Sequence, residues 1–331
     1  MLKLLESKIG KNGGTIRKIK INGKIIETPL FMPTINSSNS TWVWQHGMNI
    51  GMFVLAINEL FERQKLLNEA TEYGIHKALD FKGVALIDCG AYYFSTHNIQ
   101  KNCGEIYKLQ RKIKSDIAIV LDEIPFKNLT KKEQQKRIEK TIENAAKIKK
   151  INKKIALEAI VHGVTIKQYR ECAKRLLEYD FDIYGISVSS KLKIKLYGEA
   201  ISILKAVRKI IPPEKPIHAL GCGSRTMISL LTYHGADIFD STNYIIKAAY
   251  NHYFMEKTYC YKKNQIHDSS NCLVCLETNN HSKENEIGQI KYNLAEIIKE
   301  NIRLKCAIQN DDLCNYLKDV LPQSLHKYLK R

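Results

Sequence analysis

The chain has 331 residues, 44% of them apolar and 26% charged, which leaves room for one large domain and excludes a disordered polypeptide. Its 52 Lys and Arg against 34 Asp and Glu leave a net charge of +18, which suits a polyanionic partner and equally a Lys-rich composition that serves none. No apolar stretch of leader length lies near Met1, and no run of about 18 apolar residues occurs anywhere, so a cytoplasmic protein without membrane contact is expected.

In chain order, apolar and β-branched runs occur at Leu30-Phe31-Met32-Pro33 and then at residues 52–57, 84–88, 117–122, 155–162, 183–187, 217–221 and 237–240. Stretches of helical period lie between them, at 59–78, 131–150, 166–178, 199–211 and 225–234. Pro212-Pro213 stops the fourth of these. A short strand and a longer helix in repeated alternation predict parallel βα units. Eight such units predict an α/β chain folded as a (β/α)8 TIM barrel, with the C-terminal ends of the strands at the active mouth. A doubly wound open sheet is the alternative. It would need an edge strand and usually a glycine-rich phosphate loop, and no GxGxxG follows the first strand.

Beyond Asn243 the character changes. Tyr250, His252, Tyr253, Tyr259, Cys260 and Tyr261 precede Cys272 and Cys275, followed by a polar stretch at 277–288, a helical run at 290–302 and a tail from Asp311. Residues 1–255 are therefore expected to form the barrel and 256–331 a small C-terminal appendage. Of nine cysteines, only the pair Cys272/Cys275 has metal-ligand spacing, and the others read as thiols in a reducing compartment.

The predicted strand ends carry the chemistry. Strand three ends in Asp88-Cys89-Gly90-Ala91-Tyr92, strand four in Asp122-Glu123, strand five in His162-Gly163, strand seven in Gly221-Cys222-Gly223 and strand eight in Asp240-Ser241. An Asp after an apolar run often only caps the next helix. Three of them converging on one mouth weigh against that reading, because unpaired carboxylates are costly to desolvate. Such a group can bind a divalent metal through oxygen or cleave a glycosidic bond with one nucleophile and one proton shuttle. The neighbouring glycines and Tyr92 suit a flat aromatic ring. A flat base, an N-glycosidic bond and a basic protein together point to nucleobase exchange.

At these residues the chain resembles the tRNA-guanine transglycosylase superfamily, most closely its archaeal-type branch, over about residues 29–275. The matching stretches are Thr28-Pro29-Leu30-Phe31-Met32-Pro33, Gly74-Ile75-His76, Asp88-Cys89-Gly90-Ala91-Tyr92 and Leu121-Asp122-Glu123-Ile124-Pro125. They continue in Phe181-Asp182-Ile183-Tyr184, Pro212-Pro213-Glu214-Lys215-Pro216-Ile217-His218 and Gly235-Ala236-Asp237-Ile238-Phe239-Asp240-Ser241. The resemblance implies a TIM barrel and a ping-pong base exchange without an organic cofactor. By it, Asp240 is the nucleophile that attacks C1′ of the target guanosine, and Asp88 is the general acid/base. Asp122 binds the N1/N2 edge of the base, Tyr92 stacks on it, and His162, Ser187 and Gly221 complete the base pocket.

Several positions depart from the family pattern. The usual Gln-Gly after strand five reads His162-Gly163, where a buried structural His is the competing reading. A glycine pair after strand six is Ser187-Val188, and Ser-Gly-Gly after the first Asp is Cys89-Gly90-Ala91. Cys89 has no evident basic partner that would make it a nucleophile. The zinc pattern, Cys-x-Cys-x2-Cys with a distant His before Asn-Leu, reads Ser270, Cys272, Cys275 and Tyr292-Asn293-Leu294. Two of four structural ligands remain; Cys260 with His281 or His267 would complete a rebuilt set, and a degenerate site without metal is the other reading.

Archaeal-type relatives carry further C-terminal RNA-binding domains, whereas this chain ends at Arg331. Where bacterial relatives follow the nucleophile with Pro-Thr-Arg, Asp240 is followed here by Ser241-Thr242-Asn243-Tyr244. These departures favour DNA over tRNA as substrate, with a preQ0-like 7-deazaguanine as the incoming base; a queuosine- or archaeosine-type tRNA enzyme is the alternative. A homodimer or an accessory protein is a compatible partner. A non-catalytic nucleic-acid-binding subunit competes, but both Asp88 and Asp240 are retained. A metal-dependent hydrolase would need more histidines at the strand ends than His162 and His218.

Overall fold

The computed structural model describes residues 2–38, 41–152, 155–254, 261–262 and 285–330. Three antiparallel strands come first, β1 (Leu2–Ile9), β2 (Thr15–Ile21) and β3 (Lys24–Glu27), paired in that order. Eight parallel strands follow: β4 (Leu30–Ile35), β5 (Met52–Ala56), β6 (Val84–Asp88), β7 (Ile117–Ile119), β8 (Ala156–Val161), β9 (Ile183–Ile186), β10 (Ile217–Ala219) and β11 (Ile238–Ser241). Each pairs with its neighbours in sequence, and β11 returns to β4 through the register Asp240↔Met32, so the sheet closes into a barrel. The closure excludes the open doubly wound sheet. All eight strands coincide with the apolar runs read from the sequence, because a strand packed inside by its barrel partners and outside by helices is apolar on both faces.

The helices owe their starts to local chemistry. Thr130 caps the helix Lys131–Ile151: its Oγ1 accepts from the Glu133 amide at 3.3 Å while Glu133 Oε2 accepts from the Thr130 amide at 2.9 Å. Thr165 and Gln168 repeat the device before Ile166–Leu177, each cap being worth about 1 kcal/mol. The segment expected as one helix at 59–78 is three, Ile57–Phe61, Gln64–Tyr73 and Ile75–Ala78, because the backbone leaves helical geometry at Arg63 and at Gly74.

The floor of the barrel, at the strands' N-terminal ends, is stitched by acidic side chains. Asp116, Asp182 and Asp237 precede β7, β9 and β11, and their carboxylates accept from the amides of Ala85 (2.9 Å), Leu157 (2.9 Å) and Ile217 (2.8 Å) in the preceding strands. Asp116 also accepts from Lys24 Nζ at 2.8 Å, and Asp237 pairs with the buried guanidinium of Arg17 on β2. The N-terminal sheet is thereby fastened beneath the barrel.

At the other end of the chain, the helix Asn285–Gln309 packs against β4 and against the helix Arg225–Tyr233. Arg225 donates to Glu300 Oε2 at 2.9 Å and Ser229 to Glu300 Oε1 at 2.8 Å. No described helix is long and apolar enough to cross a membrane.

Candidate active site

The mouth is built at the strand C-termini. Asp88 is the last residue of β6, Asp240 lies one short of the end of β11, and Asp122 follows β7 by three residues. The charges of Asp122 and Asp240 both reach the Asp88 carboxyl, so the three acidic groups expected to meet do share one site.

Their surroundings differ. Asp240, 13% exposed at its side chain, is held from three elements. Its Oδ1 accepts from His218 Nε2 at 3.0 Å and from the Gly221 amide at 2.7 Å, and its Oδ2 accepts from Thr34 Oγ1 at 2.9 Å. Gly221 has φ of +67°, a left-handed conformation that turns its amide back onto the carboxylate and that residues with a Cβ rarely adopt. Burial alone would raise the Asp240 pKa, yet the hydrogen bond and charge of His218, the Gly221 amide and the Thr34 hydroxyl outweigh it and leave the group below its ordinary value.

Asp88 accepts a 3.2 Å hydrogen bond from the Gly90 amide. Burial, the nearby Asp122 charge and, more weakly, that of Asp240 push its pKa up to about 6, against the lowering pull of Gly90 and Cys89. One carboxyl is thus held ionised, while another is poised to exchange a proton near neutrality.

Asp122 is buried, at 7% exposure. His162 Nε2 donates to its Oδ2 at 2.5 Å and Cys89 Sγ to its Oδ1 at 3.2 Å. A carboxylate offers about four acceptor positions, so each oxygen keeps one for a ligand. Burial, then the Asp122 and Asp88 charges, raises the Cys89 pKa well above the ordinary thiol value, so Cys89 stays a neutral donor rather than a nucleophile. Tyr92, on the helix Ala91–Thr96 that leaves β6, is 69% exposed. Ser187 follows β9, and its carbonyl accepts from Tyr169 Oη at 3.1 Å. A cleft of about 860 Å³ opens beside the mouth; Ala91, Phe94 and Asp122 form part of its wall together with Lys101, Lys136 and Arg137.

Two residues here have no counterpart among the sequence candidates. Thr34 on β4 holds Oδ2 of Asp240. Glu158, in the middle of β8, lies beneath His218: its Oε1 is hydrogen-bonded to His218 Nδ1 at 2.8 Å, and both side chains are fully enclosed. A signal for Glu158 was open in the sequence, a single carboxylate inside the run Ala156-Leu157-Glu158-Ala159-Ile160-Val161. His218, weighed from sequence as a metal ligand, is instead flanked by two carboxylates.

The proposed zinc ligands Cys260, Cys272, Cys275 and His281 lie outside the described residues. Among the described residues no group of three or more His, Cys, Asp or Glu side chains is arranged to hold a metal ion.

Comparison with known proteins gives one consistent result. Residues 11–324 match the family model described as queuine tRNA-ribosyltransferase. A tRNA-guanine(15) transglycosylase of Methanococcus aeolicus is 30% identical, over 96% of this chain and 52% of its own. Proteins of the same description from Pyrococcus abyssi and Pyrococcus furiosus are each 28% identical, over 95% and 91% of this chain and 55% and 53% of theirs. The chain thus spans about half the length of the curated relatives it matches.

Proposed function

The chain belongs to the queuine tRNA-ribosyltransferase family, and from that membership we propose that it exchanges a guanine in a nucleic acid for a free 7-deazaguanine base, by way of a covalent Asp240–ribosyl intermediate. The observation that carries the reading is the pair of strand-end carboxylates at one mouth, one hydrogen-bonded from three sides and the other by a backbone amide of its own turn. Environments that separate two carboxyls in this way divide nucleophile from proton shuttle.

In the first half-reaction, Asp240 attacks C1′ of the target nucleotide. The C1′–N9 bond breaks, its electron pair leaves with the guanine, and Asp88 supplies the proton that lets the base depart neutral. In the second, the incoming base gives its N9 proton to Asp88 and attacks C1′, and Asp240 leaves as a carboxylate. Splitting one displacement into two at the same carbon is the gain of covalent catalysis. Asp122 accepts from the N–H edge of the base, with His162 and Cys89 each occupying one lone pair of its oxygens, and Tyr92 offers a ring face for stacking. Ser187 and Gly221 line the same pocket.

The relatives are named for tRNA, and tRNA is the first substrate of this reading. The departures after Asp240 that pointed to DNA make it the second arm of the same experiment. The protein is incubated separately with tRNA and with duplex DNA, with labelled guanine or a 7-deazaguanine precursor, and the nucleosides are analysed by mass spectrometry. Label in tRNA supports the reading, label in DNA alone transfers the same chemistry to the other polymer, and label in neither removes base exchange. Cys260, Cys272, Cys275 and His281 supply three thiolates and an imidazole, a donor set that suits structural zinc, and we assign them that role.

A further inference from the structure

His218 sits fully enclosed between two carboxylates, Nδ1 at 2.8 Å from Glu158 Oε1 and Nε2 at 3.0 Å from Asp240 Oδ1. An ionised carboxylate only accepts hydrogen bonds. A ring that bonds to one on each side must carry hydrogen on both nitrogens. Such a ring is an imidazolium. We propose that Glu158 and His218 are positioning residues, Glu158 keeping the His218 ring doubly protonated and the imidazolium holding Asp240 as a carboxylate with Oδ2 as its attacking atom. The proposal deepens the reading of Asp240 as nucleophile and rests on it.

Two further observations support this. First, room for Glu158 is made by Gly185 on β9, in register with His218: a Cβ at 185 would lie 2.6 Å from Glu158 Oε1 and 2.5 Å from Ile160 Cδ1. Second, Glu158 is a poor choice for the fold alone. Its Oε2 is buried without a hydrogen-bond partner, and an apolar side chain of similar volume is usually as good or better at such a position.

The ionisable groups facing the ring are Glu158 from β8 and Asp240 from β11, with β9 presenting Gly185. Asp240 in turn interacts with Asp88 from β6 and Cys222 beyond β10. Burial works against the charged ring, but the Glu158 charge and the bonds to Asp240 and Glu158 raise its pKa to about 10.

The arrangement also selects the reacting oxygen. Oδ1 takes two donors and Oδ2 one, which leaves Oδ2 the freer lone pair. As C1′–Oδ2 forms and C1′–N9 breaks, the three groups go from a net charge of −1 to zero. His218 keeps both protons throughout. In the reverse sense the imidazolium stabilises Asp240 as the leaving group.

The test combines a spectrum with kinetics. Long-range proton–nitrogen NMR of protein labelled with 15N-histidine should show both His218 nitrogens protonated up to pH 8. In Glu158→Gln, of nearly the same shape, the ring should lose its proton at a pH lower by about three units, the upper end of the shift that loss of a close counter-charge brings. Relative to wild type at the same pH, formation of the covalent intermediate by this variant should fall about tenfold at pH 8 and return to the wild-type rate towards pH 6, where the ring is charged again, with KM for the free base unchanged. A neutral His218 in the wild-type chain at pH 7, or a Glu158→Gln variant with the wild-type pH profile, overturns the proposal. A wild-type chain that exchanges no base removes the reaction, and the imidazole spectrum then decides alone whether Glu158 sets the charge of His218.

Discussion

The two half-reactions should depend on pH in opposite directions, and Asp88 sets both. Guanine departure needs Asp88 protonated. With its pKa pushed up to about 6, half of the free enzyme carries that proton at pH 6 and about one part in a hundred at pH 8, so intermediate formation should slow about 50-fold between them. Entry of the new base needs the ionised form and should rise by at most about tenfold from pH 5 to 8. Asp240 lies below its ordinary value and adds no limb in this range. The ester also erases Asp240's charge, one of the causes that raise Asp88, so the limb of the second half-reaction should lie at lower pH than that of the first. Rapid-quench trapping of the protein–nucleic acid adduct follows the first step, and chase of isolated adduct with labelled base follows the second. Rates that are flat from pH 5 to 8, or limbs that move together, would refute the assignment of Asp88.

Asp88→Asn should raise stability at neutral pH. The folded-state pKa exceeds the ordinary 3.8, so the wild-type chain loses stability as pH rises from about 4 to 6 and the neutral amide does not; the gain is at most about 3 kcal/mol at pH 8 and vanishes towards pH 4. Thermal melts across this range check it, and equal melting temperatures at pH 8 would contradict it. Asp240→Asn should abolish exchange while the melting temperature moves by less than about 5 °C, since the amide oxygen still accepts from His218 and Gly221 and the Thr34 hydroxyl can turn to accept from the amide nitrogen. Undiminished incorporation of labelled guanine would take Asp240 out of the mechanism. The set Cys260, Cys272, Cys275 and His281 should hold about one zinc per chain; elemental analysis before and after Cys272→Ser measures it, and a metal-free wild-type chain of unchanged melting temperature would dismiss it.

The barrel was legible because its strands are apolar on both faces, and eight such runs separated by helical stretches leave few alternatives. The N-terminal sheet was not. In β2 the inward residues are Thr15, Arg17, Ile19 and Ile21, so an arginine faces the interior while Ile16 faces outward, and alternation by hydropathy is spoiled by the buried Arg17–Asp237 pair. In the site, Asp88, Asp122 and Asp240 stood out as acids that close apolar runs. Thr34 carried no such mark, since threonine is at home in a strand. Glu158 and His218 were visible as polar residues in apolar runs, but only the barrel brings β8 and β10 close enough across β9 for them to meet. His162 was read with two meanings, and its buried contact with Asp122 is compatible with both.

Aspartates mark both ends of this barrel, and their partners separate structural work from chemical work. Asp116, Asp182 and Asp237 each accept from an amide in the preceding strand and so complete a ladder; two of them also meet a cation. Exchanging Asp182 for Ala strands an amide, a loss of about 1–3 kcal/mol charged to the fold, and at Asp237 the buried Arg17 also loses its counter-ion, for about 3–5 kcal/mol. At the mouth, Asp88 accepts from the amide of its own turn and has close acidic neighbours, an arrangement that does little for stability and makes its proton mobile. Asp240 is satisfied by groups from β4, β10 and the turn after it, yet the price is a buried Glu158–His218 pair that the sheet does not need. A barrel selected only to stand would keep the first set and discard the second; keeping both is what the proposed exchange at the mouth calls for.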